Sequence, residues 1–214
     1  SPMVHFYSLN RTVLDHVDSC KYLGVTISST MNWSNHIDQT TKKANSRLGF
    51  LRRNLRKCPS TLRRTAYLSM VRPLLDYSST VWDPHQRQHR DKIESVQRIS
   101  TRWIKSDYQR ESSVTAMLAE LGLSTLEERR KHQRMTLMYK IVHGYVQIPR
   151  VDLDLEDAYS RTRASHSHKF RQIQCKTTEY LHSFSPKSVP EWNSLPASMA
   201  EALSLIHISE PTRP

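Results

Sequence analysis

The sequence predicts a mainly helical fold with a small β remnant at the N-terminus. Three observations predict it. Apolar residues alternate, with a period of two, only before about residue 30. From Trp33 onward they recur every three or four residues, and Pro59 and Pro84 cut this pattern into separate helices. After Pro149 the periodicity fades into a polar stretch rich in Ser, Thr, Arg and His. The divisions expected are residues 1–30 as β remnant, 31–148 as a helical domain, 149–204 as an irregular polar tail, and 205–214 as a segment without a structural role.

Val4–Leu9 and Thr12–Val17 flank Asn10-Arg11, a two-residue turn in which Asn tolerates positive φ. Cys20–Ser28 alternates, with Leu23, Val25 and Ile27 on one face, which predicts a third strand after the hairpin. Such a piece is marginal alone and normally completes a larger sheet. In the first helix Ile37, Thr41, Ala44, Leu48, Leu51 and Leu55 form an apolar stripe of about five turns. A second helix is expected over about 60–82, kinked at Pro73, with Leu62, Ala66, Val71, Leu74 and Leu75 inward. A third covers about 86–106 with Ile93, Val96, Ile99, Trp103 and Ile104 inward, and a short fourth spans about 113–121. The fifth opens on a capping box, Ser124-Thr125-Leu126-Glu127, and ends near Val142, where His143-Gly144 supplies a C-cap. Residues 150–190 are expected as a linker or extended tail, with Trp192, Leu195 and Met199 in a last short amphipathic element.

Composition narrows the function classes. Of 214 residues, 32 are Lys or Arg and 20 are Asp or Glu, a net charge of +12 with a pI near 9.8. That balance points to a polyanionic partner, nucleic acid first and an anionic membrane surface second. With 37% hydrophobic and 24% charged residues the chain is globular in composition. Four glycines leave no room for a glycine-rich phosphate loop, and P-loop, HExxH and GxSxG motifs are absent. Cys20, Cys58 and Cys175 are odd in number and widely spaced, with no CxxC. This argues against a disulfide framework or zinc ribbon and for a reducing, nuclear or cytoplasmic compartment. No apolar run reaches membrane-spanning length, so no membrane span is expected, and with nucleic acid as the partner no membrane is expected as one.

The charge is clustered. Between Gln39 and Leu75 lie Lys42, Lys43, Arg47, Arg52, Arg53, Arg56, Lys57, Arg63, Arg64 and Arg72, and no Asp or Glu interrupts them. An ordinary solvated helix mixes signs and gains from i,i+4 pairs. This one repels itself, and its cationic face suits phosphates along a duplex or hybrid. These ten residues are therefore the candidate nucleic-acid-binding set. Arg47, Arg52, Arg53, Arg56, Lys57, Arg63 and Arg64 are the strongest of them. If six cations met phosphates, log K would fall with log salt at a slope of roughly −5. Nothing in the pattern reads bases.

Catalytic and metal candidates are weak. Asp15 and Asp18 read as solvated turn residues, and Asp76 as a local ion pair with Arg72. His166, His168, Cys175 and His182 have zinc-ligand types, but the H-x-H-x6-C-x6-H spacing matches no standard site, and scattered histidines of a polar tail are the expectation. The aromatics Tyr22, Trp33, Tyr67, Tyr77, Trp82 and Trp103 lie on or near apolar stripes, where core packing is the default reading and base stacking the minority one.

Several short words occur in a telling order. Lys21–Ile27 (KYLGVTI), followed by Trp33 and His36-Ile37, resembles the segment closing the palm of non-LTR (LINE, jockey-like) retrotransposon reverse transcriptases. Tyr67–Tyr77 (YLSMVRPLLDY) with Val81-Trp82-Asp83-Pro84 resembles the thumb helix that follows, and Ile93–Arg98 (IESVQR) is similar to the next. Ser183–Pro186 and Glu191–Pro196 resemble the tail of such reading frames. The likeness runs over about residues 4–204. It implies RNA-directed DNA synthesis, with magnesium at two palm aspartates from an acidic motif upstream of the YLGV-like strand. No such motif lies within the 214 residues, so no catalytic residue and no cofactor are assigned to them. The expected partners are an RNA/DNA hybrid or duplex, held with low sequence specificity, and a palm domain missing from this chain, which alone is expected to be inactive. A free-standing basic helical nucleic-acid-binding or interaction module is the alternative. Leu205–Pro214 (LIHISEPTRP) resembles the translation of a sequencing adapter and is expected to contribute nothing to the fold.

Overall fold

A computed structural model describes residues 7–158 and 166–201; the expected adapter-like segment and the start of the first strand lie outside them. The fold is mainly α with a β remnant at its N-terminal side. Strands β1 (Ser8–Leu9) and β2 (Thr12–Val13) form the expected hairpin, and Asn10 and Arg11 take φ of 49° and 67° at its turn. The third strand is a correction. Cys20–Ser28 folds back on itself as a second antiparallel hairpin, β3 (Ser19–Tyr22) against β4 (Val25–Ser28). Leu23 and Gly24 form its turn at φ of 44° and 84°. The reversal separates residues that alternation puts on one face: Val25 is buried, whereas Leu23 is 73% exposed. Gly24 has a second reason to be glycine, because an added Cβ would sit 3.3 Å from the Tyr77 ring.

Helix α1 (Ser34–Asn54) buries Ile37, Thr41, Ala44, Leu48 and Leu51 of the predicted stripe, with His36 and Thr40 beside them; Leu55, its expected last member, lies past the helix end and is half-buried. It packs on β4, α3 (Arg72–Asp76) and α5 (Arg87–Lys105). The single kinked helix expected over 60–82 is three pieces: α2 (Ser60–Met70), α3, and α4 (Ser79–Trp82). Pro73 lies in the first turn of α3, where its missing N–H costs nothing, and Ser78 at φ 50° turns the chain into α4. Leu62 and Ile99, expected inside, are 46% and 42% exposed. α6 (Val114–Glu120) follows as expected, N-capped by Ser113.

Helix α7 (Leu126–Val142) does start on a capping box, but one residue further on than expected. Glu128 N–H donates to Thr125 Oγ1 at 3.1 Å and Thr125 N–H to the Glu128 carboxylate at 2.9 Å. Both frames satisfy the S/T-x-x-E rule. Tertiary partners choose between them: Arg90 takes the Glu127 carboxylate at 2.8 Å, and Gln97 takes the Ser124 carbonyl at 2.8 Å.

The polar stretch expected as a linker is folded where it is described. A 3-10 turn (Arg150–Leu153), α8 (Thr178–Leu181), α9 (Phe184–Asn193) and α10 (Ala197–Ala200) return to the body. One core is built from β4 and α1 to α6 around Ile37, Leu48, Tyr67, Leu75, Trp82, Ile93 and Ile104. A second joins Met138, Tyr139 and Val142 of α7 to Leu155, Phe170, Val189 and Trp192. Helix α7 enters both, with Leu126 in the first and its C-terminal half in the second.

Candidate functional site

The ten candidate cations do not act as one stripe. Arg52 and Arg53 of α1, Arg56 of the turn after it and Arg63 of α2 line an open cleft of about 720 Å³ together with Gly49, Trp103, Ser106 and Tyr108. Three local causes place them. Helical spacing brings positions 49, 52 and 53 to one flank of α1, and the turn after its C-terminal end sets Arg56 at the same cleft. Arg52 and Arg53 sit in the last turn, where the partial negative charge of the helix end favours cations. Arg63 forms the floor: its Nε donates to the Cys58 carbonyl at 2.9 Å, and its Nη1 to the Trp103 carbonyl at 2.6 Å and to Ser106 Oγ at 2.5 Å. It thereby satisfies carbonyls at the end of α5 and ties α2 to α5 beneath the cleft. Among the described residues no carboxylate lies within 4.0 Å of Arg52, Arg53 or Arg56, and all three are exposed. An anion entering the cleft meets charges that the fold has left uncompensated.

The other candidates lie elsewhere. Lys42 is exposed on the outer face of α1, Lys43 and Arg47 are exposed on the flank away from the cleft, and Lys57 is exposed in the loop after α1. Lys43 lies near enough to His36 to add to the lowering of that imidazole's pKa, which burial dominates. Arg64 and Arg72 are half-buried and engaged by the protein. Arg64 Nε donates to the Leu121 carbonyl at 2.8 Å, closing the end of α6. Arg72 faces Asp76 at 3.8 Å, the expected local pair, although Arg129 of α7 holds the same carboxylate more closely, at 2.7 Å. The charges of α5 are largely balanced in place: Arg87 by Asp91, Arg90 by Glu127, Lys92 by Asp38 and Lys105 by Glu120.

Sequence reasoning missed a buried ionic centre. Asp83 receives Arg130 at 2.8 Å, Lys187 at 2.6 Å, and Arg134; Arg134 also grips Glu191 at 2.8 and 3.0 Å. Both arginines are nearly fully buried. The signal was present in principle, since Arg130 and Arg134 are four apart on a helix with apolar neighbours. Their partners, however, lie 47 to 57 residues away. The aromatics divide as well: Tyr67, Trp82 and Trp103 are core, whereas Tyr22 and Tyr77 are 64% and 55% exposed. Tyr77 instead donates its hydroxyl to the Leu23 carbonyl at 2.9 Å, fastening the second hairpin to α3.

The four zinc-type residues are dispersed. His166 Nε2 lies 3.2 Å from the Trp192 carbonyl, and Cys175 points at the Ile173 carbonyl. His168 meets His143 edge to face, and His182 stacks on His85. Among the described residues no group of three His, Cys, Asp or Glu side chains able to hold a metal ion comes together. Among the described residues nothing fits the magnesium that the resemblance implies. Cys20, Cys58 and Cys175 are free thiols. No described helix is long and apolar enough to cross a membrane.

Comparison with known proteins adds one relation. No family model matches the chain, and neither does any solved structure. Over 132 residues it is 30% identical to a probable RNA-directed DNA polymerase from transposon BS of Drosophila melanogaster. The match covers 60% of this chain but 14% of that protein, so the chain spans a small part of the relative's length. The similarity supports a relationship to reverse-transcriptase-type polymerases.

Proposed function

We propose that this chain is the thumb-side, C-terminal part of a non-LTR (LINE-type) retrotransposon reverse transcriptase, and that it holds the backbone of an RNA/DNA template–primer. The observation that carries the reading is the cleft in which Arg52, Arg53 and Arg56 stand without carboxylate partners among the described residues, over a floor fixed by Arg63. Guanidinium groups match phosphate oxygens in pairs and stay charged at any working pH. Contacts of this kind position a duplex without reading its sequence. A second observation supports a missing palm partner: Tyr7, Val13, Leu14, Val17 and Tyr22 are exposed on and around two short hairpins, each of two strands among the described residues. On this reading magnesium is held by carboxylates outside these 214 residues, and the protein works in a nuclear or cytoplasmic, reducing compartment.

The test is hybrid binding measured across a salt series. The wild-type chain binds RNA/DNA hybrid of any sequence, with affinity falling steeply as salt rises. The triple variant Arg52→Gln/Arg53→Gln/Arg56→Gln makes the negative slope of log K on log salt shallower by about 2.7, at roughly 0.9 for each phosphate no longer neutralised. Equal binding by the two proteins at all salt concentrations overturns the reading. Nucleotide incorporation by the purified chain overturns the part that assigns it holding without catalysis.

A further inference from the structure

The arginine cleft has one wall that phosphate contacts do not explain. Tyr108 lines it and is 59% exposed. Among the described residues its ring has no aromatic or cationic stacking partner and its hydroxyl no hydrogen bond. A large exposed aromatic on a loop ordinarily moves freely, but this loop is held at both ends. Arg102 donates to the Gln109 carbonyl at 2.7 Å and to the Ser112 carbonyl at 3.2 Å. Asp107 accepts from the Gln109 N–H at 3.0 Å, and its own N–H donates to the Arg102 carbonyl at 3.1 Å. Hydrogen bonds from Ser112 and Gln109 hold the Asp107 carboxyl below the usual carboxylate range. Ser106, at φ 55°, turns the chain out of α5, and Arg63 grips its hydroxyl from below. The fold has thus fixed the backbone on either side of an unpartnered aromatic ring beside three uncompensated arginines.

Resting on the proposed phosphate-binding role of this cleft, we infer that Tyr108 is a stacking platform for an unpaired base, and that the cleft prefers single-stranded nucleic acid, such as an overhanging strand, to blunt duplex. A base inside a duplex already stacks on its neighbours and offers no face to a side chain. An unpaired base does, and stacking accepts all four bases because each has a π-face. The chemistry is a phosphodiester backbone against the guanidinium groups with the adjoining base laid on the phenol ring. A tyrosine on a clasped loop loses little freedom on binding, which keeps the stacking energy available for affinity.

The experiment titrates a short single-stranded oligonucleotide carrying 2-aminopurine, and a blunt RNA/DNA hybrid, into four proteins: wild type, Tyr108→Ala, Tyr108→Phe and the triple arginine variant. Stacking quenches 2-aminopurine. The expected result is quenching by wild type and Tyr108→Phe. Tyr108→Ala should lose the quenching and bind the single strand about 10-fold more weakly, within the range of aromatic–base stacking. Hybrid binding by Tyr108→Ala should stay within about twofold of wild type. Unchanged quenching and affinity in Tyr108→Ala overturn the inference, as does an equal loss on single strand and hybrid. The arginine variant separates the two levels. If the arginines matter and Tyr108 does not, only the stacking platform fails. If the arginine variant binds both ligands as wild type does, the phosphate cleft itself fails. Tyr108 is exposed and outside both cores, so its replacement leaves the folded chain available for measurement.

Discussion

Asp83 gathers three cations at one buried carboxylate. It lies between α4 and α5 with its side chain 8% exposed, and three cations from two distant segments converge on it: Arg130 and Arg134 of α7, and Lys187 of α9. A buried ion pair adds little net stability while intact, because desolvation offsets the attraction. Removing one partner, however, strands the other charge. Asp83→Ala is therefore expected to destabilise the chain by about 3–5 kcal/mol, measured by denaturant unfolding. A loss under about 1 kcal/mol, the scale of an exposed ion pair, would show that water reaches these groups. Part of this was legible beforehand. Asp83 lies in the Trp-Asp-Pro word that carries the resemblance, and Pro84 marks it as the end of a helix. Nothing local says that the carboxylate is buried, because its partners lie 47 to 104 residues further along the chain. The candidate cations show the same division. Their clustering is plain from the sequence, but that Arg64 and Arg72 serve carbonyls and carboxylates while Arg52, Arg53 and Arg56 do not depends on which helix ends pack beside them.

Among the elements, α7 shows how local rules and tertiary contacts share the decision. Its start could be placed within one residue from sequence, since Ser124 and Thr125 are each followed three residues later by a glutamate. The structure uses Thr125 and Glu128. Thr125→Ala should therefore destabilise by about 1 kcal/mol, while Ser124→Ala, which removes no cap, should stay within about 0.5 kcal/mol. Thermal or denaturant unfolding of the two variants checks this, and a larger loss for Ser124→Ala would return the helix start to the first frame. The second hairpin teaches the converse. Alternation across Cys20–Ser28 reads as one strand, and a turn at Leu23-Gly24 is invisible to a periodicity argument because the apolar residues keep the same spacing on either side of it. Gly24 was the available clue. Its positive φ and its contact with the Tyr77 ring give it a purpose that alternation alone does not.

At the scale of the whole molecule, buried imidazoles occur in both the helical body and the tail. Burial lowers the pKa of His36, His89, His166 and His182. Each is therefore more readily protonated unfolded than folded. Between the ordinary imidazole value near 6.5 and the lower folded values the unfolded chain binds more protons, so stability falls as pH falls through that window and is fully present above it. Glu94 opposes this: burial raises its carboxyl, so its own contribution declines as pH rises through the raised value. With four imidazoles against one carboxyl, Tm is expected to drop as pH is lowered from about 7 to about 5. A flat or rising Tm across that range would contradict it. His182, stacked on His85 at 4.2 Å, puts part of this sensitivity at the junction of the tail with the helical body.

The sequence by itself determined the helical class, the stripe of α1, the breaks at the prolines and the run of unopposed cations. Each is set by residues within a few turns of one another, where period, caps and steric limits act locally. Only the tertiary structure decided that the polar tail folds back to build a second core, that one strand is a hairpin, and that Arg52, Arg53 and Arg56 meet at one cleft with no carboxylate beside them among the described residues. Those outcomes rest on pairings between residues far apart in the chain, and a buried charge or a free one is defined by what arrives beside it.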